Sequence, residues 1–214
     1  MRHIEFDKIR GDTSEGRRAR FEQLVCHLAR LDKVVAGDFR RIDGSGGDGG
    51  VEAIWRLLSG GVVGYQAKYH LHRDGIDWAK IDRSVQTALS HYPNLERYVI
   101  ALPCDLTGRR AVRGGSTEGA WGIWDTHLAE WRRSAASRGM TVAFEHWTAS
   151  ELEERLAREE AHHLRRYFFD ELVLSRAWID RHLNRTLIDL HTRYSPDEHV
   201  PTSSLMVFDV LFRR

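Results

Sequence analysis

The amino-acid sequence predicts an α/β domain in which helices flank a mixed central sheet. Between residues 13 and 158, segments with helical spacing of apolar residues alternate with short β-branched or aromatic segments, and such alternation is typical of this class. Residues 98–102 are apolar throughout, which predicts a central strand buried on both faces. Two alternating runs flank the Ser-Gly-Gly sequence at residues 59–61, and glycines in that position predict a β-hairpin.

The remaining elements follow from periodicity and end signals. Asp12 or Thr13 is the expected cap of the first helix. The spacing of core residues on one helix face is shown by Trp121, Trp124, Leu128 and Trp131. Lys80 and Arg83 are expected on the exposed face of the second helix. The predicted helices span residues 13–32, 77–91, 121–138, 148–158 and 160–191, and further strands span 39–42 and 140–147.

Composition limits the classes of function. The chain has 214 residues and a formal net charge of +1, so a surface for nucleic acid would need local clustering of basic residues. The two cysteines, Cys26 and Cys104, lie in apolar runs and are expected to be buried free thiols in a reducing compartment. No membrane-spanning run or signal-peptide core is present in the sequence. We therefore expect a cytoplasmic protein without membrane attachment.

The pattern changes near residue 159. We predict an α/β domain over residues 1–158. A helical connector is predicted over residues 159–214, and it is expected to lead to a missing C-terminal module. Residues 106–119 are rich in glycine and arginine, including Arg109, Arg110 and Arg113. They predict an irregular basic loop that either contacts a backbone phosphate or is simply solvated.

The hairpin concentrates polar residues that are unusual on a half-buried strand, and its glycines are expected to hold Asp48 and Glu52 at the sheet edge. Gln66 and Lys68 are two residues apart and share one face of the returning strand. A turn centred near Gly60 places Glu52 opposite residues 67–69. Asp48 lies in the glycine-rich loop before the hairpin, which is no P-loop because no Gly-Lys-Ser/Thr follows it.

This set of groups suits phosphodiester hydrolysis. Carboxylates, helped by an amide oxygen and a backbone carbonyl, hold Mg²⁺, and Mn²⁺ is an alternative. The metal activates a water, while a lysine stabilises the charge on the attacked phosphate or helps to deprotonate the water. Glu22, at the border of the apolar stripe of the first helix, is either a further ligand or an ordinary solvated glutamate.

The order of helix acid, glycine-rich loop, strand acid and Gln-x-Lys resembles the PD-(D/E)XK nuclease superfamily. It is most similar to the Mrr-like members, in which glutamine replaces the last acid. The resemblance implies a restriction-endonuclease-like fold, with Glu52, Gln66, Glu22 and Asp48 around the metal and Lys68 as the catalytic cation. Glutamate replaces the family's aspartate at position 52, which leaves open whether Glu52 or Asp48 is the principal ligand; we favour Glu52.

Longer sequence motifs resemble those of nuclease domains in bacterial antiphage proteins. Two of them are Gly-Gly-Asp-Gly-Gly-Val-Glu-Ala-Ile-Trp and Leu-Pro-Cys-Asp-Leu-Thr-Gly. In those proteins the domain precedes a STAND-type NTPase or a cyclic-oligonucleotide receptor. The resemblance implies an antiviral effector that cuts double-stranded DNA with little sequence specificity. It also implies a homo-oligomer, a dimer or a tetramer, assembled by the missing module, so that the isolated fragment is poorly active.

Three alternatives stay open at the level of sequence. The polar hairpin is compatible with a generic α/β domain. A nuclease-like fold can bind nucleic acid or mediate oligomerisation without cleaving it. Metal-assisted hydrolysis does not depend on the sugar, so RNA is also a candidate substrate.

Overall fold

The computed structural model describes residues 4–32, 37–42, 49–108, 110–112, 115–117, 119–170 and 179–180. Asp48, Arg109 and Arg113 lie outside these residues, as does most of the predicted helix beyond residue 170. The chain forms two compact units, Met1–Val173 and Leu174–Arg214, and every element discussed below belongs to the first. None of the described helices is apolar over enough of its length to cross a membrane.

Helices and strands alternate along the first unit, as the sequence predicts. The helices are α1 (Ser14–Arg30), α2 (Trp78–His91), α3 (Ala120–Ser137), α4 (Ala149–Leu156) and α5 (His162–Phe169). The strands are β1 (Gly37–Arg41), β2 (Ala53–Leu57), β3 (Val62–Ala67), β4 (Leu95–Ala101), β5 (Arg110–Val112), β6 (Gly115–Thr117) and β7 (Ala143–Trp147). Short 3-10 turns occupy Phe6–Lys8, Arg73–Gly75 and Glu159–Ala161.

The central sheet has five strands in the order β1-β2-β3-β4-β7. The pairs β1/β2 and β2/β3 are antiparallel, whereas β3/β4 and β4/β7 are parallel. A mixed α/β sheet is therefore confirmed. The short strands β5 and β6 pair with each other in an antiparallel ribbon, so the segment predicted to be irregular contains regular backbone pairing.

The hairpin is confirmed, but its register differs from the prediction. The Leu57 N–H donates to the Gly61 carbonyl at 2.9 Å, and Ala53 pairs with Tyr65. The turn is thus centred one residue earlier than Gly60, and Glu52 lies opposite Gln66 instead of residues 67–69. The strand β3 is also the middle strand of the sheet, and all six of its residues are buried, so the expectation of a half-buried strand is wrong.

Each face of the sheet packs against its own helices. One face, with Val63, Tyr65 and Ala67, joins α1, α4 and α5 in a single apolar cluster. The other face packs on α2 and α3, where Trp124 and Trp131 are fully buried as predicted. The end of β3 therefore lies between two layers of helices, and the polar residues described below are located there.

The segment after residue 158 begins inside the first unit. Ala161, Leu164 and Phe168 are buried in the cluster that contains α1, and the Arg10 N–H donates to the Phe168 carbonyl at 2.8 Å. Residues up to α5 therefore contribute to this core. The predicted division of the chain at residue 158, with a connector to a further module, stays a prediction.

Gly50 is required by close packing of the glycine-rich loop on α2. Its φ of +80° is in the left-handed region, and a Cβ there would overlap the Ser84 carbonyl oxygen and approach the Ala88 nitrogen to 2.8 Å. We expect Gly50→Ala to lower the free energy of unfolding by roughly 2–4 kcal/mol, since it combines backbone strain with overpacking. Denaturant titration measures the loss.

Gly60→Ala is the matched control for this prediction. Gly60 also has a left-handed φ, +88°, but no atom lies within 4 Å of a Cβ built on it. Only the backbone cost of about 1 kcal/mol is expected there. Equal losses at the two glycines would contradict the account of Gly50 as a packing residue.

Candidate active site

A cleft of about 410 Å³ opens where β3 ends. One wall is the first half of α1, the floor is the chain that leaves β3, and α2 contributes Lys80. The residues that line the cleft are Ser14, Glu15, Arg18, Glu22, Glu52, Ala67, Lys68, Tyr69, His70 and Lys80. Glu22, Glu52 and Lys68, which the sequence nominates from separate elements, are therefore brought together.

Glu22 reaches the cleft because α1 is amphipathic. Phe21, Leu24, Val25 and Leu28 are buried against the sheet, and the helical repeat then places Arg18 and Glu22, four residues apart, along one edge of the helix. The Arg18 Nε lies 3.7 Å from the Glu22 Oε1. The Thr13 hydroxyl caps α1 by accepting from the Gly16 N–H at 3.0 Å, which decides between the two predicted caps.

Glu52 is fixed by the sheet on both sides. Its N–H donates to the Tyr65 carbonyl at 2.7 Å, and its carbonyl accepts from the Ile42 N–H at 2.9 Å. Its carboxylate accepts a hydrogen bond of 2.6 Å from the Gln66 Nε2. The Glu52 side chain thus enters the cleft from a rigid backbone with one oxygen already oriented.

Gln66 lies behind the cleft. Its side chain is fully buried. The Tyr98 hydroxyl donates its proton to the Gly50 carbonyl at 2.5 Å, and the same hydroxyl contacts the Gln66 Oε1 at 3.4 Å. In this arrangement Gln66 positions Glu52 and links it to the glycine-rich loop, while a role for Gln66 as a metal ligand stays a prediction.

Lys68 follows β3 directly. Its N–H donates to the Ala101 carbonyl at 3.0 Å, and its own carbonyl accepts from the His70 N–H at 3.0 Å. The strand pairing with β4 therefore continues one residue past the end of β3. This pairing holds the Lys68 backbone in register, and its side chain lines the same cleft as both glutamates.

Burial keeps His70 neutral. It lowers the pKa of His70; the negative charge of Asp77 opposes this shift, and the positive charges of Lys68, Lys80 and Arg18 each add a further lowering that is individually smaller than the effect of Asp77. With His70 neutral, the three acids of the cleft, Glu15, Glu22 and Glu52, balance the three bases. One bound divalent cation would make the cleft positive, which favours a phosphodiester.

Both cysteines are buried free thiols, as predicted. The Cys26 Sγ donates to the Glu52 carbonyl at 3.6 Å. Burial raises the pKa of Cys26 to about 12 and that of Cys104 to about 11, so both thiols stay protonated at neutral pH. Cys26 supports the backbone beneath Glu52, and its protonated thiol is a weak nucleophile at neutral pH.

The donor set of the cleft fits a hard cation. Over the described ranges, no three His, Cys, Asp or Glu side chains gather as a metal-ligating group. Glu22 and Glu52 nevertheless both line the cleft, and Mg²⁺ is commonly held by one or two carboxylates while keeping several waters. Asp48, the other predicted ligand, lies outside the described residues.

Sequence reasoning missed Arg18, Lys80 and His70 as cleft residues. The sequence could have indicated that Arg18 lines the cleft, because Arg18 lies one helical turn before Glu22. Lys80 is exposed, as predicted, but the face of α2 that carries it borders the cleft. Placing Lys80 there requires the position of α2 relative to β3, which no local pattern supplies.

The chain was also compared with known proteins. No family model matches it, and a search of curated proteins finds no matching sequence. The resemblance to PD-(D/E)XK nucleases therefore stays a prediction, and the function has to be inferred from the cleft.

Proposed function

We propose that the chain is a Mg²⁺-dependent endonuclease with a PD-(D/E)XK-type fold that hydrolyses phosphodiester bonds of double-stranded DNA. One observation carries the proposal. Glu52, oriented by Gln66, shares a cleft with Glu22 and Lys68 at the end of a central strand. Two carboxylates and an ammonium group in one solvent-accessible cleft are the groups that metal-assisted phosphoryl transfer needs.

Each of these residues has its own role in the proposed reaction. Glu52 and Glu22 would hold Mg²⁺ (or Mn²⁺), which when bound supplies an activated water. Lys68 stabilises the negative charge that develops on the attacked phosphate. Gln66 holds the Glu52 carboxylate through its 2.6 Å hydrogen bond, and such outer partners orient metal ligands.

The proposed setting is antiphage defence, with this domain as the effector of a larger homo-oligomeric protein. The sequence resemblance is its support. Low sequence specificity is proposed because phosphate contacts carry no sequence information, and the cleft offers charged groups suited to phosphate.

Cleavage of matched substrates tests the proposal. Labelled duplex DNA, single-stranded RNA and an RNA duplex of the same sequence are incubated with the protein and Mg²⁺, with EDTA as the blank. We expect Mg²⁺-dependent cutting of duplex DNA. Preferential cutting of RNA would show that RNA, and not DNA, is the substrate. Nucleic acid that stays intact in all reactions would support the non-cleaving alternative.

Glu52→Gln tests the metal assignment. The variant keeps the side-chain shape but removes a charged oxygen ligand. Loss of an outer partner of a ligand costs about 10–100-fold, so we expect loss of Glu52 itself to lower cleavage at least about 100-fold. Calorimetric titration with Mg²⁺ is expected to give weaker binding.

Glu130→Gln is the control for this substitution, because Glu130 is an exposed residue of α3 that does not line the cleft. It should leave both Mg²⁺ binding and cleavage at wild-type values. A Glu52→Gln variant that binds Mg²⁺ and cuts like the Glu130→Gln variant would remove Glu52 from the metal site.

A further inference from the structure

We propose that Arg18 and Lys80 are phosphate-binding residues that hold the nucleic-acid backbone on either side of the phosphate to be cut. Neither residue belongs to the Glu, Gln and Lys motif that carries the proposed function. The inference rests on that function, because it assumes that the cleft receives a phosphodiester chain. The inference identifies the residues of the cleft that bind the substrate backbone.

The two residues flank Lys68 from opposite faces of the sheet. Arg18 projects from α1, which packs on the face with Val63, Tyr65 and Ala67. Lys80 projects from the first turn of α2, which packs on the other face. The cleft at the end of β3 includes both side chains, so a chain of phosphates that crosses the strand end meets one cation in each helix layer.

Charge coupling places both residues within electrostatic reach of the cleft centre. Arg18, Lys80 and Lys68 each lower the pKa of His70, and His70 also lines the cleft. Once Glu22 and Glu52 hold a divalent cation, these three cations leave the cleft with a net positive charge, which attracts successive phosphates. This arrangement suits a polyanion better than a single small anion, which would need the donors to converge.

Their present ion pairs are weak enough to be exchanged for phosphate. Arg18 pairs with Glu22 at 3.7 Å, and Lys80 pairs with Asp77 at 3.5 Å. Both basic side chains are 55% exposed, and exposed pairs of this kind contribute little to stability. A backbone phosphate, with charge-assisted hydrogen bonds, competes effectively for such side chains.

The salt dependence of binding tests the inference. Fluorescence anisotropy measures the affinity for a labelled DNA duplex in Mg²⁺ over a salt series, in a Lys68→Ala background that prevents cutting. We expect Arg18→Ala and Lys80→Ala each to weaken binding and to reduce the slope of log affinity against log salt by about 0.9, the value for one lost phosphate contact. With Lys68 restored, both variants should raise KM more than they lower kcat.

Arg20→Ala and Arg83→Ala are the controls. Arg20 lies on α1 but contacts Gln23 and Tyr167, and Arg83 lies on the exposed surface of α2 outside the cleft. Both controls should leave the slope and the Mg²⁺ affinity unchanged. Thermal denaturation checks that every variant is folded.

The outcomes separate this inference from the proposed function. Unchanged slopes for Arg18→Ala and Lys80→Ala, with normal duplex binding and Mg²⁺-dependent cutting by the wild type, would overturn the phosphate-binding assignment alone. Equal reductions in the two controls would overturn it as well, because the effect would then follow net charge. No duplex binding and no cutting by the wild type would overturn both.

Discussion

Replacing Lys68 by alanine is expected to lower the rate of Mg²⁺-dependent DNA cleavage by about 100- to 1,000-fold, the range for losing one group that stabilises transition-state charge. Lys68 lines the cleft beside Glu22 and Glu52, and its backbone is fixed by pairing with Ala101. The side chain is partly exposed, so its removal leaves no large cavity and the fold should persist. Single-turnover kinetics on a labelled duplex measure the effect.

Lys8→Ala is the matched lysine control. Lys8 forms an exposed ion pair with Glu5 at 2.6 Å and does not line the cleft. Its removal should leave cleavage unchanged. Lys68→Arg should restore little activity, because a guanidinium differs from an ammonium in shape and in its fixed protonation. Cleavage by Lys68→Ala at the rate of the Lys8→Ala protein would show that Lys68 is not the catalytic cation.

A large loss of stability is also expected from substitution of Asp32, which lies far from the motif. Its Oδ2 accepts hydrogen bonds from the Tyr65 hydroxyl at 2.8 Å and the Arg97 Nη2 at 2.7 Å, and its Oδ1 accepts from the Arg155 Nη1 at 3.2 Å. The side chain of Asp32 is only 8% exposed. This carboxylate therefore joins the end of α1 to β3, β4 and α4.

We expect Asp32→Asn to lower the free energy of unfolding by about 3 kcal/mol at neutral pH, because it leaves two arginines without their buried counter-charge. This value is at the lower end of the usual cost of breaking a buried ion pair, because Arg97 and Arg155 are 24% and 18% exposed. Asp38→Asn is the control, as Asp38 makes an exposed pair with Arg40 worth about 0–1 kcal/mol. Equal losses in the two variants would contradict the network.

The same network predicts a pH dependence. Burial opposes ionisation of Asp32, but the hydrogen bond from Tyr65 and the charges of Arg97 and Arg155 outweigh it, so the pKa of Asp32 lies below its usual value of 3.8. The native state thus favours the carboxylate. Its contribution is fully present well above pH 3.8 and is lost as pH falls through the lower native pKa. Urea titrations at acidic pH should show the wild type and Asp32→Asn converging.

Local patterns in the sequence anticipate the architecture well. Alternating periodicities predict the mixed sheet, and the spacing of Trp124 and Trp131 predicts their burial. The hairpin turn is centred one residue earlier than predicted, because the turn chemistry of residues 58–61 does not by itself fix which residue lies at the turn centre. The middle position of β3 also escaped prediction, since strand order depends on tertiary packing.

The candidate cleft was anticipated only in part. Spacing puts Gln66 and Lys68 on one strand face, but it does not reveal that Gln66 turns its amide to Glu52 and Tyr98. Asp32 likewise gave no signal, because its partners Arg97 and Arg155 are distant along the chain. Such contacts between elements are invisible to local periodicity.

We propose that the cleft formed by Glu22, Glu52 and Lys68 hydrolyses phosphodiester bonds with Mg²⁺. Supercoiled plasmid incubated with the wild-type protein, from dilute to the highest soluble concentration, tests this activity in paired reactions with Mg²⁺ and with EDTA. We expect nicked and then linear DNA in the Mg²⁺ reactions alone. Plasmid that stays supercoiled at every concentration, or that is cut equally in EDTA, would show that the cleft does not have this activity.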